Sequence, residues 1–216
     1  MAMRLDHISY ATSPDHLVDV VQRLGSRIGT AFTDGGIHPS FGTRNFTLPL
    51  NDGLYLEVVC PLDHPAADSS AFGKIVTQRV NQGGGWLSWA ISTDSLAPIE
   101  KRLGRLAVDG HRRKPDGIEL RWKQLGILGT LDDAQLPFFI SWQTPNHPSQ
   151  DGKASASIFK IEICGSKKAI EDWTSSDVNQ LLDGIEIEWI NPENYENETG
   201  IVAIHVSTLN GTVRLD

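Results

Sequence analysis

Residues 4–11 alternate in the manner of a β-strand, with Leu5, His7, Ser9 and Ala11 on one side and Asp6, Ile8 and Tyr10 on the other. His7 therefore projects from a sheet surface. Ser13, Pro14 and Asp15 follow as a helix-start signal. Leu17, Val20, Val21 and Leu24 then recur at helical spacing up to Gly25, which predicts one amphipathic helix with both ends marked. The plan returns at residues 85–92, an apolar strand followed by the cap Thr93-Asp94-Ser95, by Leu96, Ile99 and Leu103 on one helical face, and by Gly104 as a stop. It returns again at residues 157–165, where Ser166 precedes a weaker helical stretch through Ile170, Trp173, Val178, Leu181 and Leu182. Strands starting near residues 4, 86 and 157 imply an internal repeat of about 70–80 residues, the size of a supersecondary module rather than of a solenoid turn. The chain reads as tandem copies of a βαβββ-like unit, and so as an α+β protein.

Between these signals, residues 26–45 read as glycine-rich connecting chain, in which glycines on both sides of His38 allow close backbone approach. Residues 44–50 and 53–60 predict two antiparallel strands joined by a turn at Asn51-Asp52-Gly53. Tyr55, Glu57 and Val59 share one face of the second, and a carboxylate amid so much apolar sequence needs a partner or a proton. Residues 61–85 form a connector: Pro61 and Pro65 open a loop, residues 70–80 suit a short helix, and Gly83-Gly84-Gly85 frees the chain to begin again. The expected units are therefore residues 1–60 and 86–145, each βαβββ, and residues 157–216, βαββ-like. Residues 111–117 read as a basic turn with Arg112, Arg113 and Lys114 in solvent. In the strand that follows, Glu119, Arg121 and Lys123 alternate with Ile118, Leu120 and Trp122, and residues 136–143 form another strand whose odd polar position is Ser141. Residues 144–156 are polar and are expected to cross the surface. The last unit adds strands at 185–190 and 201–207, an acidic Asn-rich loop at 191–200 between them, and a hairpin at Asn210-Gly211.

At 216 residues and 39% hydrophobic, the chain can bury a proper core without disulfide or metal staples. Its formal net charge of −8 argues against a nucleic-acid surface. No apolar run approaches the length of a membrane span and no signal-type segment precedes the first strand, so a cytoplasmic location is expected. Cys60 and Cys164 suit reduced, buried thiols.

These residues resemble the vicinal oxygen chelate (VOC) superfamily, and within it the glyoxalase-like domain proteins. Leu5-Asp6-His7, the stretch 36–45 with His38-Pro39 and Gly42-Thr43-Arg44-Asn45, and Leu54-Tyr55-Leu56-Glu57 carry the likeness for the first module; residues 87–94, 112–122 and 136–142 carry it for the second. The likeness covers residues 4–143 and is looser over 157–216, which match the extra partial module of longer members. It implies paired modules curled into a half-open barrel, with a divalent metal (Zn, Ni, Mn or Fe) on the concave face, held by the first and last strands of each module. His7 matches the first ligand and Glu57 the second. The other two positions, usually a histidine and a carboxylate, fall at Ser88 and Ser141. Imidazole and carboxylate suit such ions, but two protein donors alone seldom hold a first-row metal tightly; His38, a water or the substrate could supply a third.

His38, Thr43 and Asn45 are candidate substrate contacts, because a glycine-flanked polar segment can aim donors and acceptors into a cleft; Thr43 and Asn45 read equally well as local turn partners. Arg121 is a candidate bidentate partner for a substrate carboxylate, set against a solvated charge beside Glu119. Ser88 and Ser141 complete the candidate substrate-binding set. Trp86, Trp89, Trp122 and Trp142 read as core more readily than as a stacking platform. Two functions follow. One is a metal-dependent lyase, isomerase or dioxygenase that binds two adjacent oxygens of a small substrate and stabilises an enolate-like intermediate, with Glu57 moving a proton. The other is a metal-free protein that sequesters a small, partly apolar molecule in the same cleft. The expected partner is a small molecule, with neither nucleic acid nor membrane; edge-to-edge pairing of modules into a homodimer is a third, purely structural reading.

Overall fold

The computed structural model describes residues 3–195 and 198–216; residues 1 and 2, ahead of the first strand, and 196 and 197, in the acidic loop, lie outside it. The first unit runs β1 (Met3–Ala11), α1 (Leu17–Ile28), β2 (Thr33–His38), β3 (Thr43–Pro49) and β4 (Tyr55–Pro61). Two helices follow, α2 (Pro65–Ser69) and α3 (Ala71–Asn81). The second unit runs β5 (Gly85–Thr93), α4 (Ala97–Leu103), β6 (Val108–Arg113), β7 (Glu119–Leu125), α5 (Ile127–Asp132) and β8 (Phe138–Trp142). The chain then forms β9 (Ser157–Cys164), α6 (Lys167–Thr174), α7 (Val178–Leu181), β10 (Glu186–Ile190), β11 (Gly200–Thr208) and β12 (Gly211–Leu215). No helix among the described residues is long and apolar enough to cross a membrane.

In each of the first two units the first strand pairs in parallel with the last, β1 with β4 and β5 with β8. The units join through antiparallel β1 and β5 on one side. On the other, β2 meets β6 through a bridge at Ile37 and Arg113, closing a ring in the order β1-β4-β3-β2-β6-β7-β8-β5 where the resemblance implied a half-open barrel. The third unit repeats the order of elements but not their pairing: β9 lies parallel beside β10 and antiparallel to β11, giving a separate sheet β10-β9-β11-β12. One face of that sheet packs on the outside of the ring, where Ile161, Ile204 and Val206 join Ile8, Trp89 and Ile91 of β1 and β5 and Leu24 and Ile28 of α1. A second apolar cluster fills the ring itself, built from Phe41, Val59, Leu120, Trp122, Phe138 and Ile140 and covered by Phe72, Ile75 and Val76 of α3.

Three local expectations change. Helix α1 runs through Gly25 to Ile28 and stops at Gly29, whose φ of 85° is open to glycine at no steric cost. Residues 33–38 form strand β2 rather than connecting chain: Gly35 and Gly36 give the segment little strand preference of its own, and pairing with β3 supplies it. The basic run is not a solvated turn. Alternation along β6 turns Gly110, Arg112 and Lys114 inward, leaves Arg112 only 1% exposed, and confines the turn to residues 114–117. Lys114 meets Asp151 at 2.8 Å and Asp116 at 3.1 Å. The turn at Asn51–Gly53 forms as expected, with positive φ at Asp52 and Gly53.

Candidate functional site

Four neighbouring strands each place a polar side chain at one level of the ring. Thr47 on β3 lies opposite Glu57 on β4, Glu57 opposite Ser9 on β1, and Ser9 opposite Ser88 on β5; all four are buried. Ser9 Oγ donates to Glu57 Oε2 at 2.6 Å, and Asn45 Nδ2 donates to Oε1 at 2.7 Å. Both carboxylate oxygens are thus occupied from the protein. Thr47 Oγ1 and Ser88 Oγ end the row without a hydrogen-bond partner among the described residues. At the next level His7 lies opposite Tyr55, and the two rings stack at 4.5 Å.

A bulge sets the orientation of His7. Pairing between β1 and β5 slips between Leu5 and His7, so Asp6 escapes the alternation and turns beside its neighbour. His7 Nδ1 donates to Asp6 Oδ1 at 2.7 Å, while Trp142 Nε1 and His147 Nε2 donate to Oδ2 at 3.1 and 3.2 Å. Burial opposes ionisation of Asp6, but the hydrogen bonds from His147 and His7 outweigh it and hold the carboxyl well below the usual range. An ionised acceptor at Nδ1 fixes the His7 tautomer and leaves the Nε2 lone pair free. Burial likewise works against ionisation of Glu57, yet the positive charge that His7 and His38 carry when protonated and the hydrogen bonds from Ser9 and Asn45 lower its pKa. His38 is bonded through Nδ1 to Thr43 Oγ1 at 2.9 Å, and burial pushes its pKa down to about 3 against the pull of Glu57, so its ring is neutral at physiological pH. Burial raises the Tyr55 pKa and keeps it a phenol.

Arg112 reaches into the same space from β6. Its Nη1 donates to Gly35 O at 2.5 Å and to Asn45 Oδ1 at 3.0 Å, linking the guanidinium through Asn45 to Glu57. The space exists because residue 35 is glycine; a Cβ there would run into Arg112 Nη1 and Asn45 Oδ1.

His7, His38, Asn45, Tyr55, Glu57, Arg112 and Gln124 share one hollow with Phe41, Phe72, Trp122, Phe138, Ile140 and Trp142. Its volume is about 20 Å³, room for a single water. The donor set does not fit a tightly held divalent ion. Among the described residues no group of three or more His, Cys, Asp or Glu side chains is placed to hold one, and the Glu57 oxygens already accept two hydrogen bonds.

Of the residues singled out from sequence, His7, His38, Asn45 and Glu57 line the hollow, with Thr43 behind His38 and Ser88 beneath, beside Ser9. Two depart. Arg121 lies on the outer face of β7, its side chain 63% exposed and paired with Glu119 at 3.1 Å, because Leu120, Trp122 and Gln124 take the inward positions. Ser141 also faces away, since Phe138, Ile140 and Trp142 are the residues of β8 that line the hollow; its Oγ instead meets Gln143 Nε2 at 3.3 Å. Trp122 and Trp142 are walls of the hollow, whereas Trp86 and Trp89 belong to the outer core. Asp6, Arg112, Gln124 and His147 are site residues that the sequence pattern does not single out. Asp6 adjoins His7 and Arg112 falls on the inward parity of β6, but the bulge and the run of basic residues mask both signals.

The glyoxalase-like domain model matches residues 5–176. No curated protein matches the chain. Among solved structures, a hypothetical protein from Staphylococcus aureus is 16% identical, with 99% of each chain covered and a TM-score of 0.65, a likeness of fold. Methylmalonyl-CoA epimerase from Mycobacterium tuberculosis is 17% identical, over 64% of this chain and 86% of that one, with a TM-score of 0.42. The Streptomyces coelicolor methylmalonyl-CoA epimerase in complex with 2-nitronate-propionyl-CoA is 18% identical over 68% of this chain and all of its own, with a TM-score of 0.42. The match over most of the length, on a ring of paired βαβββ units, establishes that this chain belongs to the glyoxalase-like domain family of the VOC superfamily.

Proposed function

We propose that the chain is an enzyme of the lyase or isomerase kind that moves a proton on a small carbonyl compound held in this hollow, and that it does so without a resident metal. The observation behind it is the buried Asp6–His7 pair, whose free Nε2 shares a hollow with the Glu57 carboxylate. Asp6 orients the imidazole and stabilises the imidazolium formed when Nε2 accepts a proton from carbon. Glu57, held by Ser9 and Asn45, is the second proton acceptor. The aromatic walls exclude water, which strengthens each charge interaction inside. A substrate larger than a water requires displacement of α3, whose Phe72 lines the hollow. The metal-dependent and dioxygenase forms of this reading lose support from the donor set. Sequestration of a small molecule is the second reading, favoured by the unpartnered Ser88 hydroxyl where a ligating histidine would stand.

Deuterium incorporation at carbon separates the two. In D₂O with EDTA, the protein should exchange the acidic C–H of a neutral α-hydroxyketone such as 2-hydroxyacetophenone, and His7→Ala should abolish the exchange. Binding without exchange would favour sequestration. Equal exchange by His7→Ala would remove the proton-transfer reading.

A further inference from the structure

Arg112 is the most deeply buried charged side chain on the second unit, and its bonding is incomplete. Nη1 is committed to Gly35 O and Asn45 Oδ1, but the remaining N–H groups have no partner among the described residues, and the side chain lines the hollow. A buried guanidinium with donors to spare calls for an oxygen. Gln124 on β7 is in the same condition: its Oε1 accepts from Trp122 Nε1 at 3.0 Å, and its amide N–H groups have no partner among the described residues beside the hollow. Donors therefore come from the second unit, β6 and β7, while the proton acceptors His7, His38 and Glu57 come from the first, β1, β2 and β4.

In the ring, β6 lies four strands from β1 in either direction, so Arg112 stands across the hollow from His7. When His7 Nε2 takes a proton from a neutral carbonyl compound, the C–H bond breaks and its electron pair moves toward the carbonyl carbon. The carbonyl π pair moves onto oxygen, and the proton becomes part of an imidazolium paired with Asp6. The new negative charge then needs a cation on the far side of the substrate from His7, which is where Arg112 stands. Return of the proton to carbon regenerates the neutral imidazole without any oxidant or reductant.

We infer that Arg112 is the oxyanion-binding catalytic residue of this hollow, with Gln124 as a second donor, and that the substrate is a compound carrying an acidic C–H beside a carbonyl. This rests on the proton-transfer reading and assigns to a guanidinium the charge-stabilising work that a metal does in other chemistry. The pocket for Arg112 depends on the missing side chain of Gly35.

Tropolone, a planar acid whose anion carries two adjacent oxygens, is the probe. Titrated into the full chain with EDTA present, it should bind as the tropolonate anion, visible by its absorbance spectrum below its own pKa. Arg112→Gln should weaken binding by about 100-fold, with Arg112→Lys in between. Neutral tropolone in the wild-type complex, no binding, or equal binding by Arg112→Gln would overturn the assignment, and the wild-type spectrum decides it even if Arg112→Gln fails to fold. Exchange of 2-hydroxyacetophenone that is lost in His7→Ala but kept in Arg112→Gln would overturn Arg112 while leaving the proton-transfer reading in place. Exchange kept in both variants would overturn both.

Discussion

Asp6 Oδ1 and His7 Nδ1 lie 2.7 Å apart with both side chains buried, although the residues are consecutive in one strand. Neighbours in a strand ordinarily point to opposite faces. The bulge between Leu5 and His7 breaks that rule and creates a carboxylate–imidazole pair inside the ring. Asp6→Asn keeps the size and one acceptor but adds donors where His7, His147 and Trp142 already donate. Deuterium exchange should fall by about 100-fold while the thermal transition stays cooperative. An undiminished exchange rate would show that His7 does not depend on Asp6.

Gly35→Ala tests the Arg112 pocket without changing any polar group. The added methyl would meet Arg112 Nη1 and Asn45 Oδ1, and Gly35 has an ordinary backbone conformation, so the effect is steric. Chemical denaturation should show a loss of about 2 kcal/mol, and tropolone binding should weaken with it. A wild-type midpoint would mean that Arg112 can leave its pocket at little cost.

Arg121→Ala provides the contrast. Its side chain is in solvent beside Glu119, so neither the melting temperature nor ligand binding should change measurably. Weakened binding in this variant would restore a site role for the outer face of β7.

The third unit has its own electrostatic clasp. Glu162 Oε2 accepts from Arg214 Nη2 at 2.8 Å, and Oε1 from Arg214 Nε at 2.8 Å and His205 Nε2 at 2.6 Å, tying β9 to β11 and β12. The Arg214 hydrogen bonds, against opposing burial and with help from His205, lower the Glu162 pKa to about 2. A depressed carboxylate pKa contributes stability that is fully present above the unfolded value of about 4.3 and is lost as pH falls through the folded value. Denaturation midpoints should therefore decline between about pH 4 and pH 2, and Glu162→Gln should flatten that decline. The same slope in the variant would assign the acid sensitivity to other carboxylates.

The family resemblance, rather than strand alternation alone, puts His7 and Glu57 in one hollow, and the glycines around His38 mark the segment that brings Asn45 against Glu57. Arg112 is hidden because charge composition suggests solvent while β6 parity turns it inward; in a half-buried strand the parity decides. Asp6 is hidden because a bulge depends on how β1 meets β5, a long-range property. Ser141 falls on the outer face of β8, because one position in a period of two exchanges the faces of a strand. The third unit has the element order of the first two, yet order alone does not choose the strand beside which β9 lies. Closure of the ring by α3 and by the Ile37–Arg113 bridge is tertiary in the same sense.

The most direct measurement of metal-independent proton transfer is the deuterium exchange rate and the metal content of the same samples, purified without an affinity tag and then loaded to different levels with Zn, Ni, Mn or Fe. The predicted result is an exchange rate that does not vary with bound metal and disappears in His7→Ala. A rate that rises in proportion to bound metal, and is absent from the metal-free protein, would contradict it.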